Sequence, residues 1–246
     1  SALLRSLAQF MVFVTLLTNH LDAQKVTLDQ EVQQVYKAIV RIEVVSESGS
    51  GGRMKKSRST GSGVIIRKDG LVVTNHHVAG KATRLTCRLY DGEEVMADLL
   101  GADAMTDLAV LKLRTNDRPA NAKSLTIAKF ADSDSVKVGD ICFAMGSPAG
   151  LTQSVTRGII SNTAMISPNT GSFRLDGENV GELVRWLGHD AVIFPGNSGG
   201  PILNKNGNLV GVAVATLSTP LMMSETTTIP QNLNFGVKSE TLSSFL

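Results

Sequence analysis

The chain has 246 residues, enough for one large all-β domain or two small domains with a buried core. Hydrophobic residues make up 42 % and charged residues 19 %, as in an ordinary globular protein, and aromatic residues are scarce at 4 %. The formal net charge of +2 gives no indication of nucleic-acid binding, which would need clustered basic residues, so no nucleic-acid partner is expected.

The two cysteines, Cys87 and Cys142, are too few for the disulfide framework of a small secreted domain. Each lies in an apolar run, so both are expected to be buried, unreactive thiols. The sequence has no Cys-x-x-Cys or His-Glu-x-x-His motif, and its four histidines are not at metal-ligand spacing. The sequence therefore predicts no metal site.

The first 23 residues differ in character from the rest of the chain. Arg5 precedes an apolar run over residues 7–17, and Ala23 offers a small residue at a possible cleavage point. This pattern resembles a secretory signal peptide and predicts a periplasmic or secreted protein. The alternative is an N-terminal helical segment, residues 1–23, that packs on the domain or on a neighbouring subunit. The run is too short for a transmembrane helix, so no stable membrane span is expected.

Short strands dominate the first half of the chain, after a predicted helix around Glu31–Lys37. Asp69-Gly70 and Asp91-Gly92 each lie between apolar runs, which is typical of hairpin turns. The Gly- and Ser-rich residues 46–63 are predicted to be flexible. The predicted strands are Ile39–Val45, Val64–Ile66, Leu71–Val73, Thr83–Tyr90, Glu94–Leu100 and Asp107–Leu113.

The second half is also a series of short predicted strands, and it follows a polar linker, Arg114–Lys123. Ser239 is expected to cap a short C-terminal helix, and the long polar stretches 164–182 and 218–231 are predicted to be loops. No helical pattern of about ten or more residues lies between the predicted strands, as βαβ units would require. The sequence therefore favours an all-β sandwich or barrel. The predicted strands are Val136–Met145, Gln153–Ile160, Ala191–Ile193, Pro201–Asn204, Leu209–Thr216 and Leu233–Val237, with a hairpin turn at Asn206-Gly207.

The segment Gly-Asn-Ser-Gly-Gly-Pro at residues 196–201 contains a candidate nucleophile, Ser198. A serine hydroxyl is a poor nucleophile unless a base removes its proton, and flanking glycines permit a tight, exposed turn. Such a turn leaves backbone N–H groups free. Those of Gly196, Asn197 and Ser198 are candidates for an oxyanion hole. The alternative is a plain glycine-rich turn.

The expected base is a histidine, because its ordinary pKa lies near neutral pH. His76 and His77 end an apolar strand, where adjacent side chains point to opposite faces, so the residues alone leave open which one faces a site. Asp107 precedes an apolar run and is costly to bury unless paired. It is a candidate for orienting the histidine, and its alternative role is a turn residue at a strand start.

Three segments together resemble the HtrA (Deg) family of trypsin-like serine proteases, over most of residues 39–240. In that family the catalytic histidine follows a threonine by three positions, which selects His77 after Thr74. The order His77, Asp107, Ser198 is the family's order. The matching segments are Gly61–Ile66 with Val73–Val78, Thr106–Leu113, and Val155–Ser161 with Asp190–Ile193.

The resemblance implies a protease domain over residues 24–246, built from two perpendicular six-stranded antiparallel β-barrels with short helices at the termini. The first barrel would span residues 24–118 and the second 119–246, with the site in the cleft between them. Family members commonly carry PDZ domains after the protease, and none is expected within this chain.

The resemblance also implies a serine endopeptidase that works without a cofactor. Ser198 would form an acyl ester, His77 would act as general base and Asp107 would orient His77. The implied substrates are unfolded or damaged proteins, cleaved in protein quality control, and the implied assembly is a homotrimer.

Position 192, six residues before Ser198, bears on substrate choice. Trypsin-like enzymes selective for Lys or Arg place an Asp there, whereas this chain has Val192. Ala213, Val214 and Ala215 resemble the strand that walls the family's first specificity pocket. Together with Val192 they predict a preference for a small aliphatic residue before the scissile bond. The competing interpretation is that this segment is an ordinary core strand, which holds at least for every second residue along it.

Two other functions compete with a peptidase. One is a catalytically inactive two-barrel chaperone or binding module, against which the complete triad argues. The other is an esterase of another fold, which would carry its serine on a Gly-x-Ser-x-Gly elbow between a strand and a helix. Ser198 is followed instead by Gly200-Pro201 and a predicted strand, which disfavours the esterase.

Overall fold

A computed structural model describes residues 30–50, 53–147, 153–165, 174–175, 178–179, 184–216 and 234–246. The predictions made for residues 1–23 and for the loop at 218–231 lie outside these ranges. None of the helices in the described ranges combines the length and the apolar character that a bilayer span requires.

The first barrel is closed and antiparallel, with the strand order β1-β2-β3-β6-β5-β4. Tight turns join β2 to β3 and β4 to β5, where Gly70 and Gly92 have φ angles of +90° and +89°. Only glycine adopts such angles without strain, so both predicted hairpin turns are confirmed. The strands are β1 (Ile39–Ser50), β2 (Arg53–Arg67), β3 (Leu71–Thr74), β4 (Arg84–Arg88), β5 (Glu94–Asp103) and β6 (Leu108–Leu113).

The second barrel is also closed and antiparallel, in the order β7-β8-β11-β14-β13-β12. Counted within each barrel, both have the order 1-2-3-6-5-4, so the two halves share one topology. The predicted pair of six-stranded barrels is thereby confirmed. The strands are β7 (Ile141–Gly146), β8 (Ser154–Met165), β11 (Trp186–His189), β12 (Pro201–Asn204), β13 (Leu209–Thr216) and β14 (Asn234–Lys238), and β9 (Arg174–Leu175) pairs with β10 (Glu178–Asn179) in a separate two-stranded sheet.

Three short α-helices complete the described part: α1 (Gln30–Val35), α2 (His76–Ala79) and α3 (Ser239–Phe245). Single turns of 3-10 helix lie at Tyr36–Ala38 and Thr115–Asp117. The expectation that Ser239 caps α3 is wrong, because Lys238 occupies the N-cap position. The Ser239 hydroxyl instead donates to the carbonyl oxygen of Ala131 at 2.7 Å and ties the helix to the second barrel.

Buried apolar side chains form three clusters. One fills the first barrel and includes Cys87, and a second lies in the other barrel and includes Cys142. The third joins the two barrels through residues such as Val73 and Met145. Burial raises the pKa of each thiol to about 12, as expected for inert cysteines.

Three sequence predictions about strands are wrong. Residues 46–50 and 53–63, predicted to belong to a flexible stretch, lie in strands, because β1 and β2 pair with each other in register as far as Ser50 and Arg53. Serine and lysine side chains tolerate an exposed two-stranded ribbon, whose hydrogen bonds the composition does not reveal. The strand expected at Ala191–Ile193 lies earlier, at β11, and the segment before Ile141 forms turns.

Candidate active site

His77 and Asp107 form a hydrogen-bonded side-chain pair. The Nδ1 atom of His77 lies 2.8 Å from Oδ2 and 3.0 Å from Oδ1 of Asp107. The Asp107 side chain is fully buried, whereas the His77 ring retains 19 % exposure. A carboxylate accepts hydrogen bonds only, so the proton of a neutral His77 ring lies on Nδ1 and Nε2 is left as a base.

The local backbone explains why His77, and not His76, makes this contact. Both residues lie in the single helical turn α2 rather than on a strand, so their side chains diverge by about 100° around the helix axis. The backbone N–H of His77 also donates to Asp107 Oδ1 at 3.0 Å. The carboxylate therefore holds both the ring and the main chain of this residue.

Asp107 is the only non-glycine residue with a positive φ, +54°, in the described part of the chain. Its carbonyl oxygen accepts the N–H of His76 at 3.1 Å and the side-chain amide of Asn75 at 3.0 Å. A left-handed conformation costs a residue with a Cβ atom about 1 kcal/mol, although aspartate tolerates it better than most. These contacts fix the strained turn that aims the carboxylate at α2.

Gly61 of β2 lies close both to this helical turn and to the Ser198 backbone. A Cβ atom added at Gly61 would come within 2.5 Å of the Val78 side chain and 3.3 Å of the Ser198 carbonyl oxygen. Ser62 then donates its N–H to that carbonyl oxygen at 2.8 Å. The close approach that Gly61 permits thus lets β2 contact both α2 and the serine of the second barrel.

The Ser198 hydroxyl donates to the carbonyl oxygen of Val214 at 2.8 Å. It makes no hydrogen bond to the His77 ring. Val214 lies at a bulge of β13, where Ala213 pairs with Gly236 and Ala215 with Phe235, which leaves Val214 without a partner on β14. The bulge exposes an acceptor in the site, a common use of bulges beside active sites.

The segment before Ser198 forms a tight turn. The N–H of Asn197 donates to the Phe194 carbonyl oxygen at 2.9 Å, and Gly196 has a φ of +97°, as the third residue of a type II turn requires. The backbone N–H of Asn197 is therefore used within the turn and is not free to act as one of the predicted oxyanion donors. Within the described residues, the amides of Gly196 and Ser198 donate to no acceptor.

A family model described as a trypsin-like peptidase domain matches residues 61–212, more than half of the chain. This span contains His77 in α2, the turn at Asp107, and the loop of residues 194–200 around Ser198, which we call the serine loop. The chain belongs to the trypsin-like peptidase family.

Relatives place this peptidase among the HtrA (Deg) proteases. It is 40 % identical to a probable periplasmic serine endoprotease DegP-like of Pseudomonas fulva over 67 % of this chain and 30 % of the relative. The periplasmic serine endoprotease DegP of Escherichia coli is 40 % identical over 68 % of this chain and 32 % of the relative. The chain thus spans about a third of the length of the curated relatives that it matches.

A solved structure supports the same assignment. The HtrA-type protease AlgW, solved with a tripeptide, superposes with a TM-score of 0.68 and 29 % sequence identity. The match covers 89 % of this chain and 62 % of that chain. This chain and the solved HtrA-type protease therefore share the two-barrel fold.

The residues predicted to govern specificity occupy different environments. Val192 is 39 % exposed, and its carbonyl oxygen accepts the Thr156 hydroxyl at 2.7 Å. Ala213 and Val214 have fully buried side chains that belong to two core clusters. For Ala215 the structure describes the backbone in β13 but not the side chain. Val192 is therefore the predicted specificity residue that solvent, and so a substrate, can reach.

Ser62 and the Val214 carbonyl belong to the site but were missed by reasoning from the sequence. Ser62 stands in the Gly61–Ile66 segment that carries the family resemblance, and this was the available signal. The role of a main-chain carbonyl such as that of Val214 leaves no trace in residue types. It depends on a bulge that only the strand register reveals.

Three exposed carboxylates outside this site, Asp132, Asp134 and Glu240, bring one oxygen each within 4.8 Å of the others. Lys238 already forms an ion pair with Asp134. Exposed acidic groups of this kind are common without a metal, and they lie apart from the residues around Ser198.

Proposed function

We propose that the chain is a serine endopeptidase in which Ser198 is the nucleophile, His77 the general base and Asp107 the group that orients the base. The observation that carries the proposal is the buried Asp107 carboxylate bonded to His77 Nδ1 at 2.8 Å, with Gly61 close to both the Val78 side chain and the Ser198 carbonyl oxygen. This pairing leaves a basic nitrogen on the partly exposed His77 ring, and the chain supplies a serine on a glycine-rich turn for that base to act on.

In the proposed reaction, Ser198 Oγ attacks the carbonyl carbon of the scissile peptide bond, and its proton passes to His77 Nε2. The protonated ring is stabilised by the Asp107 carboxylate and returns the proton to the leaving amine as the C–N bond breaks. An acyl ester remains on Ser198. Water, deprotonated by the same ring, hydrolyses this ester and regenerates the hydroxyl.

The negative charge on the substrate oxygen would be met by the N–H groups of Gly196 and Ser198. Both amides lack an acceptor among the described residues, and the positive φ of Gly196 sustains the turn in which they lie. Removal of one such donor typically costs about 2.7–4 kcal/mol of transition-state stabilisation. No cofactor takes part in these steps.

For substrate and assembly the proposal follows the relatives and the sequence. The names of the curated relatives include periplasmic serine endoproteases, and we infer a periplasmic or secreted location for this chain. Unfolded or damaged proteins are the proposed substrates, in protein quality control, and a homotrimer is the proposed assembly. The exposed Val192, which carries no charge to pair with a basic side chain, supports a preference for a small aliphatic residue before the scissile bond, and the sequence also predicts Ala213, Val214 and Ala215 to contribute to it.

The decisive test is labelling of the chain by a fluorophosphonate probe, with peptide mapping of the modified residue. We expect the probe on Ser198 in the wild type and no labelling of Ser198→Ala. Turnover of an unfolded casein substrate should be lost in the same variant. Labelling at another residue, or equal turnover by both proteins, would exclude Ser198 as the nucleophile.

A binding module without catalysis is the second candidate, and one observation favours it. The Ser198 hydroxyl is bonded to Val214 rather than to His77. A rotation about the serine Cα–Cβ bond between staggered rotamers can redirect the hydroxyl without moving the backbone, and such rotations are fast. The binding module predicts that the wild type binds unfolded casein but shows neither probe labelling nor casein turnover, and a casein-binding assay beside the labelling experiment distinguishes the two functions.

A further inference from the structure

Ser62 lies at the centre of the contacts between the first barrel and the serine loop. It is fully buried in β2. Its hydroxyl donates to the Gly196 carbonyl oxygen at 2.6 Å, and its N–H donates to the Ser198 carbonyl oxygen at 2.8 Å. In return its hydroxyl oxygen accepts the N–H of Ser147 at 2.8 Å. One residue thus holds two carbonyl groups on either side of Asn197.

The direction of the Ser62 hydroxyl proton is unambiguous. A serine oxygen that accepts an N–H must use its own proton elsewhere, and the Gly196 carbonyl is the acceptor within reach. A partly buried carbonyl that loses such a partner keeps its place only if water or another donor replaces it. The hydroxyl therefore fixes the orientation of the Gly196 carbonyl group.

Fixed carbonyl groups determine where the neighbouring amides point. In a trans peptide unit the C=O and N–H groups point in opposite directions, and the described chain has no cis peptide bonds. The Gly196–Asn197 unit is held by Ser62 at its carbonyl and by Phe194 at its N–H. The next unit is held at the Asn197 carbonyl, which accepts the Gly200 N–H at 2.9 Å, and this sets the direction of the Ser198 N–H.

The Pro195–Gly196 unit is different, because neither its carbonyl nor its N–H is bonded within the described residues. This unit carries the Gly196 N–H, one of the two proposed oxyanion donors. Its orientation then depends on the units that follow it. The Ser62 hydroxyl anchors the first of these.

We propose that Ser62 is a positioning residue for catalysis, whose hydroxyl holds the Gly196–Asn197 peptide unit so that the Gly196 and Ser198 amides converge on the substrate oxygen. The proposal rests on the proposed function, because it assigns Ser62 to the same oxyanion site. The glycine neighbours support it: a Cβ atom at Gly199 would lie 2.1 Å from the Ser62 carbonyl oxygen, so the serine loop is in direct contact with β2.

The test compares Ser62→Ala with a matched control, Ser239→Ala. Ser239 is also buried, and its hydroxyl also donates to a backbone carbonyl, that of Ala131 at 2.7 Å, far along the chain in α3. Both variants lose one partly buried hydroxyl–carbonyl hydrogen bond, so a purely structural effect should lower their thermal stability alike. Ser62→Thr keeps the hydroxyl and serves as the conservative rescue.

The measurements are the saturable rate of labelling by a fluorophosphonate probe and the turnover of unfolded casein. We expect Ser62→Ala to lower the limiting labelling rate and kcat about 10- to 100-fold while KM stays within a few-fold, since misplaced catalytic groups cost this much. Ser239→Ala should keep the wild-type kcat, and Ser62→Thr should recover part of the loss. Equal kcat in Ser62→Ala and Ser239→Ala, with both folded, would overturn the proposal.

A spectroscopic readout separates positioning from general loosening. A peptidyl chloromethyl ketone labelled with ¹³C at its carbonyl forms a hemiketal with the nucleophile, and its oxyanion titrates in the NMR spectrum. Ser62→Ala should raise that pKa relative to wild type and to Ser239→Ala, because fewer aligned donors stabilise the anion. An unchanged pKa would also overturn the proposal.

Ser198→Ala, assayed beside these variants, separates the two proposals. If Ser198→Ala retains full turnover, the proposed function fails and takes the Ser62 proposal with it. If Ser198→Ala is inactive and Ser62→Ala retains the wild-type rates, only the role of Ser62 is refuted.

Discussion

The hydroxyl of Ser198 donates to the carbonyl oxygen of Val214 at 2.8 Å. That carbonyl is available because β13 bulges between Ala213 and Ala215, so that Val214 lacks a partner on β14. This hydrogen bond holds the proposed nucleophile in one rotamer. Reaction at the hydroxyl requires this bond to break, and the serine must turn toward His77.

A structure of the protein after reaction with a fluorophosphonate should show this change. Once Ser198 Oγ carries phosphorus it has no proton to donate, so it should lie beyond about 3.5 Å from the Val214 carbonyl oxygen. The Val214 backbone should not move, because its side chain is packed in the core that joins the barrels. A phosphonylated Ser198 that keeps the short contact would contradict this account.

Replacement of Asp107 by asparagine should lower kcat by about 10⁴-fold with little change in fold. Asparagine also tolerates the positive φ of Asp107, so the turn should survive. Its side chain, however, offers an N–H to His77 Nδ1, which favours the wrong ring tautomer. Casein turnover and thermal melting of Asp107→Asn and wild type test this. A variant that keeps more than about a tenth of wild-type turnover would show that Asp107 does not set the tautomer.

Introduction of a carboxylate at position 192 should change the preferred substrate residue. Val192 is partly exposed, so an aspartate there has little desolvation cost in the free protein. We expect Val192→Asp to raise kcat/KM for a peptide with Lys before the scissile bond, relative to one with Val, by about 10- to 100-fold.

Val192→Asn is the control for this change. Asparagine has nearly the same size and shape as aspartate but adds no charge. The two variants should therefore differ mainly toward the lysine peptide. If both show the same ratio of kcat/KM for the two peptides, Val192 does not face the substrate side chain.

The stability of the second barrel should fall on mild acidification because of His189. This β11 side chain is fully buried, and burial lowers its pKa to about 4 from an ordinary 6.5. Between these pH values the unfolded chain binds a proton that the folded chain does not, so the free energy of unfolding decreases as the pH falls. The loss is present only below pH 6.5 and reaches about 3 kcal/mol near pH 4.

Urea unfolding at pH 7.5, 6 and 5 in a Ser198→Ala background, which prevents self-digestion, measures this effect. His189→Gln carries no titrating ring, so its unfolding free energy should depend less on pH in this range. The difference between the two proteins should therefore shift in favour of His189→Gln as the pH falls. A difference that is the same at all three pH values would argue against a neutral buried His189.

Local chemistry made much of the fold readable from the sequence. The Asp-Gly and Asn-Gly pairs marked turns because Gly70, Gly92 and Gly207 must take positive φ angles, which few other residues tolerate. Apolar β-branched runs marked the buried strands. By contrast, the largely exposed ribbon formed by residues 46–50 and 53–60 was missed, because its pairing rests on backbone hydrogen bonds between polar residues, and composition does not encode those bonds.

The sequence by itself determined the residue types and their order: a histidine after Thr74, an aspartate before a buried strand, and a serine among glycines. Tertiary structure alone decided that Asp107 adopts a left-handed turn under α2, that the Val214 carbonyl faces Ser198, and that Ser62 reaches across from the first barrel. The reason is physical. Residue types set what a group can donate or accept, whereas its partner is set by strand register and by contacts between distant residues, which lie 30 positions apart for His77 and Asp107 and 134 for Ser62 and Gly196.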